Sequence, residues 1–244
     1  MIRVGTLNLR REFDRWPERL PLVAAVVARE QPHLLALQEV GIAHRQGWQI
    51  AEAVNQILGR PAYAFHLQRK PHWRYQFIEG LGLLAAVPVR NHRRLTLSWR
   101  GWLAQRVRVE LGGRALDFVN LHLPPRPTNR PLRAAFVRRV LHWMAASECA
   151  VLTGDFNDLP DSPPVALVRG QMRSAYTEAN GREPDWTWPT PLISRFGPFK
   201  AVLDYVFVRG PVRAAAARVA FNQPHERDAA LWPSDHLGLL VDLE

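Results

Sequence analysis

Short apolar runs separated by polar or turn-forming segments recur along the chain, and several of them end in a compact polar group. Runs of β-branched, aliphatic and aromatic residues predict strands at residues 2–9, 33–40, 63–68, 81–87, 95–99, 104–111, 115–121, 151–154, 201–208, 212–221 and 237–243. Apolar positions at helical spacing predict helices at residues 19–30, 46–58, 132–146 and 164–169.

The segments between these elements carry turn and loop signals. Gly112-Gly113 predicts a hairpin turn between two neighbouring strands, and residues 124–131 form a proline-rich loop. Residues 177–199 are expected to be long, irregular and aromatic. Strands mixed with helices, and hairpins among them, indicate an α/β (α+β) fold in which two sheets pack face to face with helices outside.

Length and composition are those of a globular protein. The chain has 244 residues, 47% of them hydrophobic, so it can bury a sizeable core. No low-complexity linker divides it, and we predict one domain spanning residues 1–244. Cys149 is the single cysteine. It therefore excludes an internal disulfide framework, gives no support to a zinc finger, and is interpreted as a small buried or half-buried residue.

The N-terminal segment reads as a strand and not as a charged segment followed by an apolar leader. No window approaches ~18 uninterrupted apolar residues, the length that a membrane span needs. We therefore expect neither a secretory signal nor a transmembrane segment. The expected protein is cytoplasmic and, by default, monomeric.

The net charge is +10, and lysine occurs only at Lys70 and Lys200. A basic surface attracts polyanions, and the arginine fork matches phosphate geometry, so nucleic acid is a natural partner. A bias in genomic base composition would also produce a chain rich in arginine and poor in lysine. The charge alone leaves both interpretations open.

Five polar groups lie at the ends of predicted strands, where catalytic and metal-binding side chains are usually displayed. They are Thr6-Leu7-Asn8, Gln38-Glu39, Asn120-Leu121-His122, Gly154-Asp155-Phe156-Asn157 and Ser234-Asp235-His236. Together they would bring asparagine, aspartate, glutamate and histidine side chains to one site.

Glu39 follows an apolar run, which places its carboxylate at a strand end where it suits a hard cation such as Mg²⁺. Asn8 can offer a carbonyl oxygen beside it. Each residue taken alone is also compatible with an ordinary role, a solvated loop carboxylate for Glu39 and a turn residue bonding its own backbone for Asn8.

Asp155 and Asn157 stand two residues apart, so in an extended segment both can reach one phosphate or metal while Phe156 packs inward. An Asx turn after the strand is the alternative for this pair. Asp158 and Asp161 are better interpreted as turn and helix-cap residues.

Asp204 begins an apolar strand and is placed to accept the N–H of a histidine. His236 is the natural partner, because an oriented imidazole needs a second group. Asp235 points differently and is a candidate for contact with a metal. His122 ends its own strand and supplies a second imidazole, whereas the other seven histidines are treated as structural.

Phosphodiester hydrolysis needs a metal to neutralise phosphate charge, an activated water and help for the leaving oxygen. Carboxylates, amides and histidines can supply these functions. No glycine-rich phosphate loop is present in the sequence, which argues against a kinase or a nucleotide-loop enzyme.

The polar groups resemble, in order, the motif series of the endonuclease/exonuclease/phosphatase superfamily. The motifs span residues 6–236 and read Thr6-Leu7-Asn8, Leu37-Gln38-Glu39-Val40, Asn120-Leu121-His122, Gly154-Asp155-Phe156-Asn157, Leu203-Asp204-Tyr205-Val206-Phe207-Val208 and Ser234-Asp235-His236. The resemblance implies a four-layer αββα sandwich of two mixed, mostly antiparallel sheets flanked by helices. It also implies a Mg²⁺ or Mn²⁺ cofactor and cleavage of a phosphate ester.

The resemblance further implies roles for single residues. Glu39 would be the main metal ligand, with Asn8 beside it and Asp235 near a metal. Asp155 and Asn157 would position and activate water and contact the phosphate.

His236, oriented by Asp204, would be the catalytic histidine of this family, acting either as a base or as a stabiliser of phosphate charge. His122 resembles the additional histidine of the deoxyribonuclease-like and sphingomyelinase-like branches. Glu79 would be the acid that orients His122, unless it is an ordinary surface residue of its strand.

Apurinic-site endonucleases of the superfamily use a tyrosine in the middle of the chain and an asparagine where His122 stands. No tyrosine lies between Tyr75 and Tyr176, which argues against that branch. The arginine-rich segment 126–139 and the segment Trp186-Thr187-Trp188 are candidates for gripping a nucleic-acid backbone and stacking bases. A solvated helix face and a packed loop are the alternatives.

The sequence therefore predicts a divalent-metal-dependent phosphodiesterase with DNA or RNA as the leading substrate class. A phosphatase or a sphingomyelinase-like phospholipid phosphodiesterase is the alternative among enzymes. A catalytically inactive nucleic-acid-binding module is the alternative outside enzymes, and the intact set of site residues speaks against it.

Overall fold

Strands predicted from apolar runs form two sheets that lie face to face in the computed structural model of the chain. The structure describes residues 1–111, 113–193 and 198–244. Within them the strands are β1 (Ile2–Asn8), β2 (Leu34–Gly41), β3 (Ala64–Arg69), β4 (Glu79–Ala85), β5 (Arg90–Thr96), β6 (Leu103–Leu111), β7 (Arg114–His122), β8 (Ala150–Asp155), β9 (Arg173–Ser174), β10 (Asp204–Arg209), β11 (Ala214–Ala220) and β12 (Gly238–Leu243). The α-helices are α1 (Trp16–Glu30), α2 (Gln46–Leu58), α3 (Arg130–Trp143), α4 (Pro163–Arg169) and α5 (Ala175–Asn180).

Each sheet contains six of these described strands. The first sheet has the order β11-β12-β1-β2-β4-β3, and the second sheet has the order β5-β6-β7-β8-β10-β9. Among the described strands β1 runs parallel to β2 and β7 parallel to β8, and the other pairings are antiparallel. Both sheets are therefore mixed and mostly antiparallel.

Helices cover the outer faces of the two sheets. Val23 and Val27 of α1 lie four residues apart, hence on one face of the helix, and both pack with Leu35 of the first sheet. Val137 of α3 packs in the same way with Leu152 of the second sheet. Together with the core between the sheets, this arrangement makes the four-layer αββα sandwich, and the predicted fold is confirmed.

Two elements differ from the sequence prediction for physical reasons. The predicted strand 95–99 is β5, which begins five residues earlier; β5 is an edge strand whose first five residues are exposed, so no apolar alternation marks its start. The stretch predicted to be irregular, 177–199, begins inside α5. Ser174 caps α5 by accepting a hydrogen bond from the Thr177 amide at 3.3 Å. A serine is a preferred residue at a helix start, so the sequence carried a signal for α5.

Other predicted features differ from the structure only in detail, agree with it or lie outside the described residues. The strand predicted over 201–208 begins only at Asp204, and Ala201 makes an isolated bridge with Trp188. Gly112 of the predicted hairpin turn and residues 194–197 lie outside the described residues. Cys149 is buried in the core between the sheets, as interpreted from the sequence.

Membrane-crossing helices are absent from the described part of the chain, since none of its helices is both long and apolar enough.

Asp117 of β7 is expected to make the fold sensitive to acid. Its carboxylate accepts hydrogen bonds from Arg108 Nε at 2.9 Å and from Arg106 Nη2 at 2.5 Å. Burial alone would raise the pKa of Asp117, but these arginines lower it to about 2. A carboxyl group with a lowered pKa contributes stability that is present above its unfolded pKa near 4 and is lost as pH falls toward 2.

Asp117→Asn should therefore reduce the free energy of unfolding by about 2 kcal/mol at pH 7. The difference from the wild-type chain should shrink between pH 4 and pH 2, as measured by urea unfolding. Asp161→Asn, at an exposed position, is the matched control. A constant difference across this pH range would contradict the assignment of the effect to the Asp117 carboxylate.

Candidate active site

Strand direction brings the predicted polar groups to one edge of the sandwich. In the parallel pair β1–β2, Asn8 lies opposite Gln38. In the parallel pair β7–β8, His122 lies opposite Asp155. Because β10 runs antiparallel to β8, Asp204 at its start also lies opposite Asp155. Strand ends of both sheets therefore meet at the same place.

The segment before β12 is held against the end of β1. The Ser234 hydroxyl donates a hydrogen bond to the Asn8 carbonyl at 2.6 Å. The Thr190 amide donates to the Asp235 carbonyl at 2.8 Å. These bonds fix Asp235 and His236 over the strand ends, so residues separated by more than 220 positions share one site.

Some motif residues support the site from below and do not line it. Gln38 Nε2 donates to Asn120 Oδ1 at 2.8 Å, which joins a strand of the first sheet to one of the second. Asn120 Nδ2 donates in turn to the Leu37 carbonyl at 3.0 Å. A buried polar network that is satisfied in this way sets the position of one sheet relative to the other.

Local backbone conformation presents Glu39 and Asp155. The register between β2 and β4 shifts between Leu37 and Val40, so Glu39 lies in a bulge with φ of +49°. Such a conformation is uncommon for a residue other than glycine and is found at functional sites. Gly154 has φ of +134°, and a Cβ there would lie 1.9 Å from the Leu121 carbonyl oxygen. Only glycine fits at the position before Asp155.

Asp155 is the centre of the site. Its Oδ2 accepts hydrogen bonds from Asn8 Nδ2 at 3.0 Å and from Asn157 Nδ2 at 3.2 Å. The same oxygen lies 3.6 Å from His122 Nε2 and 3.9 Å from His236 Nε2. Burial raises the pKa of Asp155, and the charge of His236 partly offsets this.

Asn157 combines the turn and the functional interpretations. Its backbone N–H donates to Asp155 Oδ1 at 2.8 Å, which is the Asx turn that the sequence allowed. Its side chain nevertheless reaches Asp155 and donates to the Leu123 carbonyl at 2.9 Å. The turn is therefore what places the Asn157 amide in the site.

His236 and Asp204 form a buried pair, as the sequence predicted. His236 Nδ1 lies 2.9 Å from Asp204 Oδ2, and both residues are at least 95% buried. Burial by itself would lower the pKa of His236, but Asp204, Asp155 and Asp235 raise it to about 10. At neutral pH this imidazole is therefore protonated, with Nδ1 directed to Asp204 and Nε2 toward Asp155.

His122, unlike His236, is neutral at neutral pH. Burial, with the nearby positive charge of Lys70, lowers its pKa to about 3, so the ring is neutral. Its Nε2 faces Asp155 and lies 3.8 Å from Glu39 Oε1. Its Nδ1 is buried without a hydrogen-bond partner among the described residues.

Glu79 does not make the contact predicted for it. Its carboxylate is bound by Lys70 and lies 3.4 Å from Arg11 Nε, and no hydrogen bond joins it to His122 in the part of the chain that the structure describes. Glu79 acts on His122 only through its charge, which raises the pKa of that ring against the effect of burial. The competing cations, invisible to sequence spacing, explain the difference.

The environment of Glu39 is one that a divalent cation would relieve. Burial, together with the negative charges of Glu79 and Asp235, raises the pKa of Glu39. Asn8 Nδ2 contacts Glu39 Oε1 at 3.3 Å. Asn8 therefore turns its amide nitrogen to Glu39, while its Oδ1 accepts from the Arg10 amide. The Glu39 carboxylate, crowded by like charge, is the kind of hard oxygen donor that Mg²⁺ or Mn²⁺ takes in proteins, so it fits such an ion.

Asp235 is engaged by a residue that sequence reasoning missed. Arg10 Nη1 donates to Asp235 Oδ2 at 2.9 Å, while the Arg10 amide donates to Asn8 Oδ1 at 2.9 Å. Trp188 Nε1 reaches the same Asp235 oxygen at 3.4 Å. Arg10 stands two residues after Asn8, and that closeness to a motif was the one available signal in so arginine-rich a chain.

A second group of side chains has metal-ligand spacing. Ligand atoms of Asp155, Asp204 and His236 all lie within 4.8 Å of one another, and such a group could hold a metal ion. The sequence had assigned these three residues to catalysis and not to the metal. Two of them already form the hydrogen-bonded pair of the site.

The two segments predicted to contact nucleic acid have different roles in the structure. In the arginine-rich segment, Arg133 is fully buried on Asp158, and Arg130 binds the same carboxylate. These arginines stabilise the fold. In the other segment Trp188 lies at the site, with its ring 6.4 Å from that of His236, whereas Trp186 lies against Lys200.

Family comparison agrees with this geometry. The model of the Endonuclease/Exonuclease/phosphatase family matches residues 5–236, and the chain belongs to that family. No curated protein sequence matches the chain significantly.

Solved structures share the fold at low sequence identity. An endonuclease/exonuclease/phosphatase family protein from Leptotrichia buccalis is 17% identical with a TM-score of 0.81, and all of both chains is covered. D. rerio TDP2 complexed with single strand DNA product is 16% identical with a TM-score of 0.80, covering 100% of this chain and 98% of that one. The human Nocturnin catalytic domain with bound sulfate anion is 22% identical with a TM-score of 0.76, covering 100% and 94%.

Family membership makes the chain a hydrolase of the phosphoesterase and nuclease type.

Proposed function

We propose that the chain is a divalent-metal-dependent phosphodiesterase that cleaves nucleic acid. The observation that carries this is the Asp155 carboxylate, which lies between a protonated and a neutral histidine at 3.9 and 3.6 Å. The protonated imidazole offers a cation for a phosphate, and the carboxyl group between the two rings offers a group able to take a proton.

Glu39 would be the main metal ligand, with Asn8 beside it and Asp235 nearby, and Mg²⁺ or Mn²⁺ suits carboxylate oxygens. When bound, the cation would neutralise charge on the phosphate and assist the leaving oxygen. Arg10 would keep Asp235 in place, because it bonds both that carboxylate and the Asn8 side chain.

His236 acts in this proposal as a stabiliser of phosphate charge and not as a base. Asp204 holds its Nδ1 and helps keep the ring protonated, so Nε2 carries a hydrogen toward the centre of the site. A preorganised charged donor of this kind favours the transition state over the substrate, since negative charge grows on the phosphate oxygens.

Asp155 and Asn157 would position and activate the attacking water. A carboxyl group whose pKa is raised accepts a proton more readily at neutral pH than an ordinary aspartate does. The Asn157 and Asn8 amides hold the Asp155 carboxylate in a single orientation. His122, neutral and facing the same oxygen, completes the site without adding charge.

DNA or RNA is the substrate class that this proposal favours. The net charge of +10 suits a polyanion, and one structural neighbour was solved with a single-strand DNA product. A phosphatase or a phospholipid phosphodiesterase would use the same site residues, so substrate experiments separate these activities. An inactive binding module would not need the buried histidine–aspartate pair.

A substrate panel tests the proposal. We expect the chain with Mg²⁺ to cleave single-stranded DNA or RNA, and EDTA to abolish cleavage. Raising the salt concentration from about 50 to about 200 mM should lower kcat/KM at least about tenfold, because cations bound to the phosphates compete with the protein. Activity confined to lipid vesicles or to a phosphomonoester, or binding without cleavage, would contradict the proposal.

A further inference from the structure

Two loops beside the site expose tryptophans that neither the family motifs nor the proposed chemistry uses. Trp73 lies in the loop between β3 and β4 and is 66% exposed; Trp99 lies in the loop between β5 and β6 and is 72% exposed. Large rings are normally buried, so exposed tryptophans next to an active site indicate contact with another molecule.

The two loops meet through a histidine. The His72 ring centroid lies 6.0 Å from that of Trp73, in a stacked arrangement, and 6.1 Å from that of Trp99. The three rings are therefore neighbours, and they are called here the aromatic row (Trp73, His72 and Trp99). A row of π-faces is a feature of surfaces on which successive bases stack.

Trp102 joins the turn that carries Trp99 to the active site. Amides of Leu97 and Ser98 donate to the Trp102 carbonyl at 2.8 and 3.2 Å, so a tight turn carries Trp99 at its tip and Trp102 at its base. The Trp102 ring lies edge-on to His122, with centroids 5.6 Å apart. A chain bound along the row would therefore lead to His122.

Basic side chains accompany the rings. Arg74 lies over Trp73 at 4.7 Å, Arg100 over Trp99 at 5.2 Å and Lys70 over Trp102 at 4.8 Å. Segments 69–78 and 97–102 contain no aspartate or glutamate. The adjacent Glu79 is already neutralised by Lys70 and Arg11. Lys70 is thus paired with Glu79, whereas the exposed Arg74 and Arg100 offer cations for phosphates beside ring surfaces for bases.

We propose that the aromatic row binds a single-stranded stretch of nucleic acid and guides it to the site. This inference rests on the proposed function for its substrate class. A duplex keeps its base faces stacked inside, whereas a single strand presents them to aromatic rings. Phe77 and Ile78 are also exposed in the loop of Trp73, but Arg74 and Arg100 lie over the tryptophan rings, and these charges favour a polyanion over the apolar interior of a membrane.

Binding of labelled oligo(dT) and oligo(U) of about twelve nucleotides, measured by fluorescence anisotropy in EDTA, tests the row. Trp73→Ala and Trp99→Ala should each raise Kd about fivefold or more, and the double variant about twentyfold or more. Trp73→Phe with Trp99→Phe should restore most of the affinity. Ile57→Ala and Leu132→Ala, at exposed apolar positions elsewhere, are matched controls.

A second pair of double variants tests the contribution of the arginine charges to oligonucleotide binding. Arg74→Gln with Arg100→Gln should weaken binding and flatten its salt dependence, whereas Arg213→Gln with Arg227→Gln, at exposed positions elsewhere, should leave both unchanged.

Three results would overturn the aromatic row. They are wild-type affinity in the folded alanine variants, equal loss of affinity for a duplex of the same length, and loss of binding only to vesicles of phosphatidylserine and phosphatidylcholine. Hydrolysis of diesters by the unaltered chain with Mg²⁺ is measured separately. If the unaltered chain does not hydrolyse diesters but the tryptophan variants lose oligonucleotide affinity, the proposed function is wrong, whereas binding of nucleic acid by the aromatic row is supported.

Discussion

His236→Gln should lower kcat for phosphodiester cleavage by about 10³-fold while the chain still folds. The substitution keeps the approximate size of the side chain but removes the positive charge that Asp204 helps to maintain. Loss of one preorganised donor to a developing charge typically costs about 10²- to 10³-fold. Single-turnover cleavage and circular dichroism melting measure the two quantities.

Two comparisons make the His236 result specific. His142→Gln changes an exposed histidine on α3 and should leave kcat unaltered. Asp204→Asn should reproduce most of the loss, because the imidazole then lacks its fixed partner. If His236→Gln kept more than about a tenth of the wild-type kcat, His236 would not be a catalytic residue here.

Glu39→Gln should abolish most metal-dependent hydrolysis and weaken metal binding. The negative charges of Glu79 and Asp235 act on the Glu39 carboxylate and favour a cation beside it. A neutral amide removes the main anionic ligand. We expect kcat/KM to fall by about 10³-fold, corresponding to about 4 kcal/mol of transition-state stabilisation.

Metal titration separates this effect from unfolding. Calorimetry with Mg²⁺ or Mn²⁺ should show weaker binding in Glu39→Gln, and the Tm of the variant should rise less on metal addition than that of the wild-type chain. Without metal the variant should be at least as stable, because like charges around Glu39 no longer repel it. Glu52→Gln, at an exposed position on α2, is the control. Equal metal affinity in both chains would reject Glu39 as a ligand.

Much of the site was predictable because its residues follow buried strands. Apolar runs predict strands, and polar groups directly after them must emerge at the sheet edge. This logic selected Asn8, Asp155 and His122. The pair of Asp204 and His236 also followed from residue chemistry, since an imidazole in a site usually has an acidic partner.

Competing contacts were not predictable. Nothing in the spacing of Glu79 indicates that Lys70 and Arg11 bind its carboxylate. Likewise Arg133 looks like a nucleic-acid contact in the sequence, but Asp158 binds it in the interior. Ion pairs form between residues that the fold brings together, and sequence distance carries no information about them.

The sequence by itself determined most of the order of elements, the sandwich of two sheets and the family to which the chain belongs, because hydrophobic periodicity and strand-end motifs are local properties. Only the tertiary structure decided the charge states of His236 and His122. Two imidazoles with the same intrinsic pKa differ because one faces Asp204 and the other is buried beside Lys70. It also decided that Trp73 and Trp99, 26 positions apart in the sequence, share one surface, since burial and proximity arise only when distant segments pack.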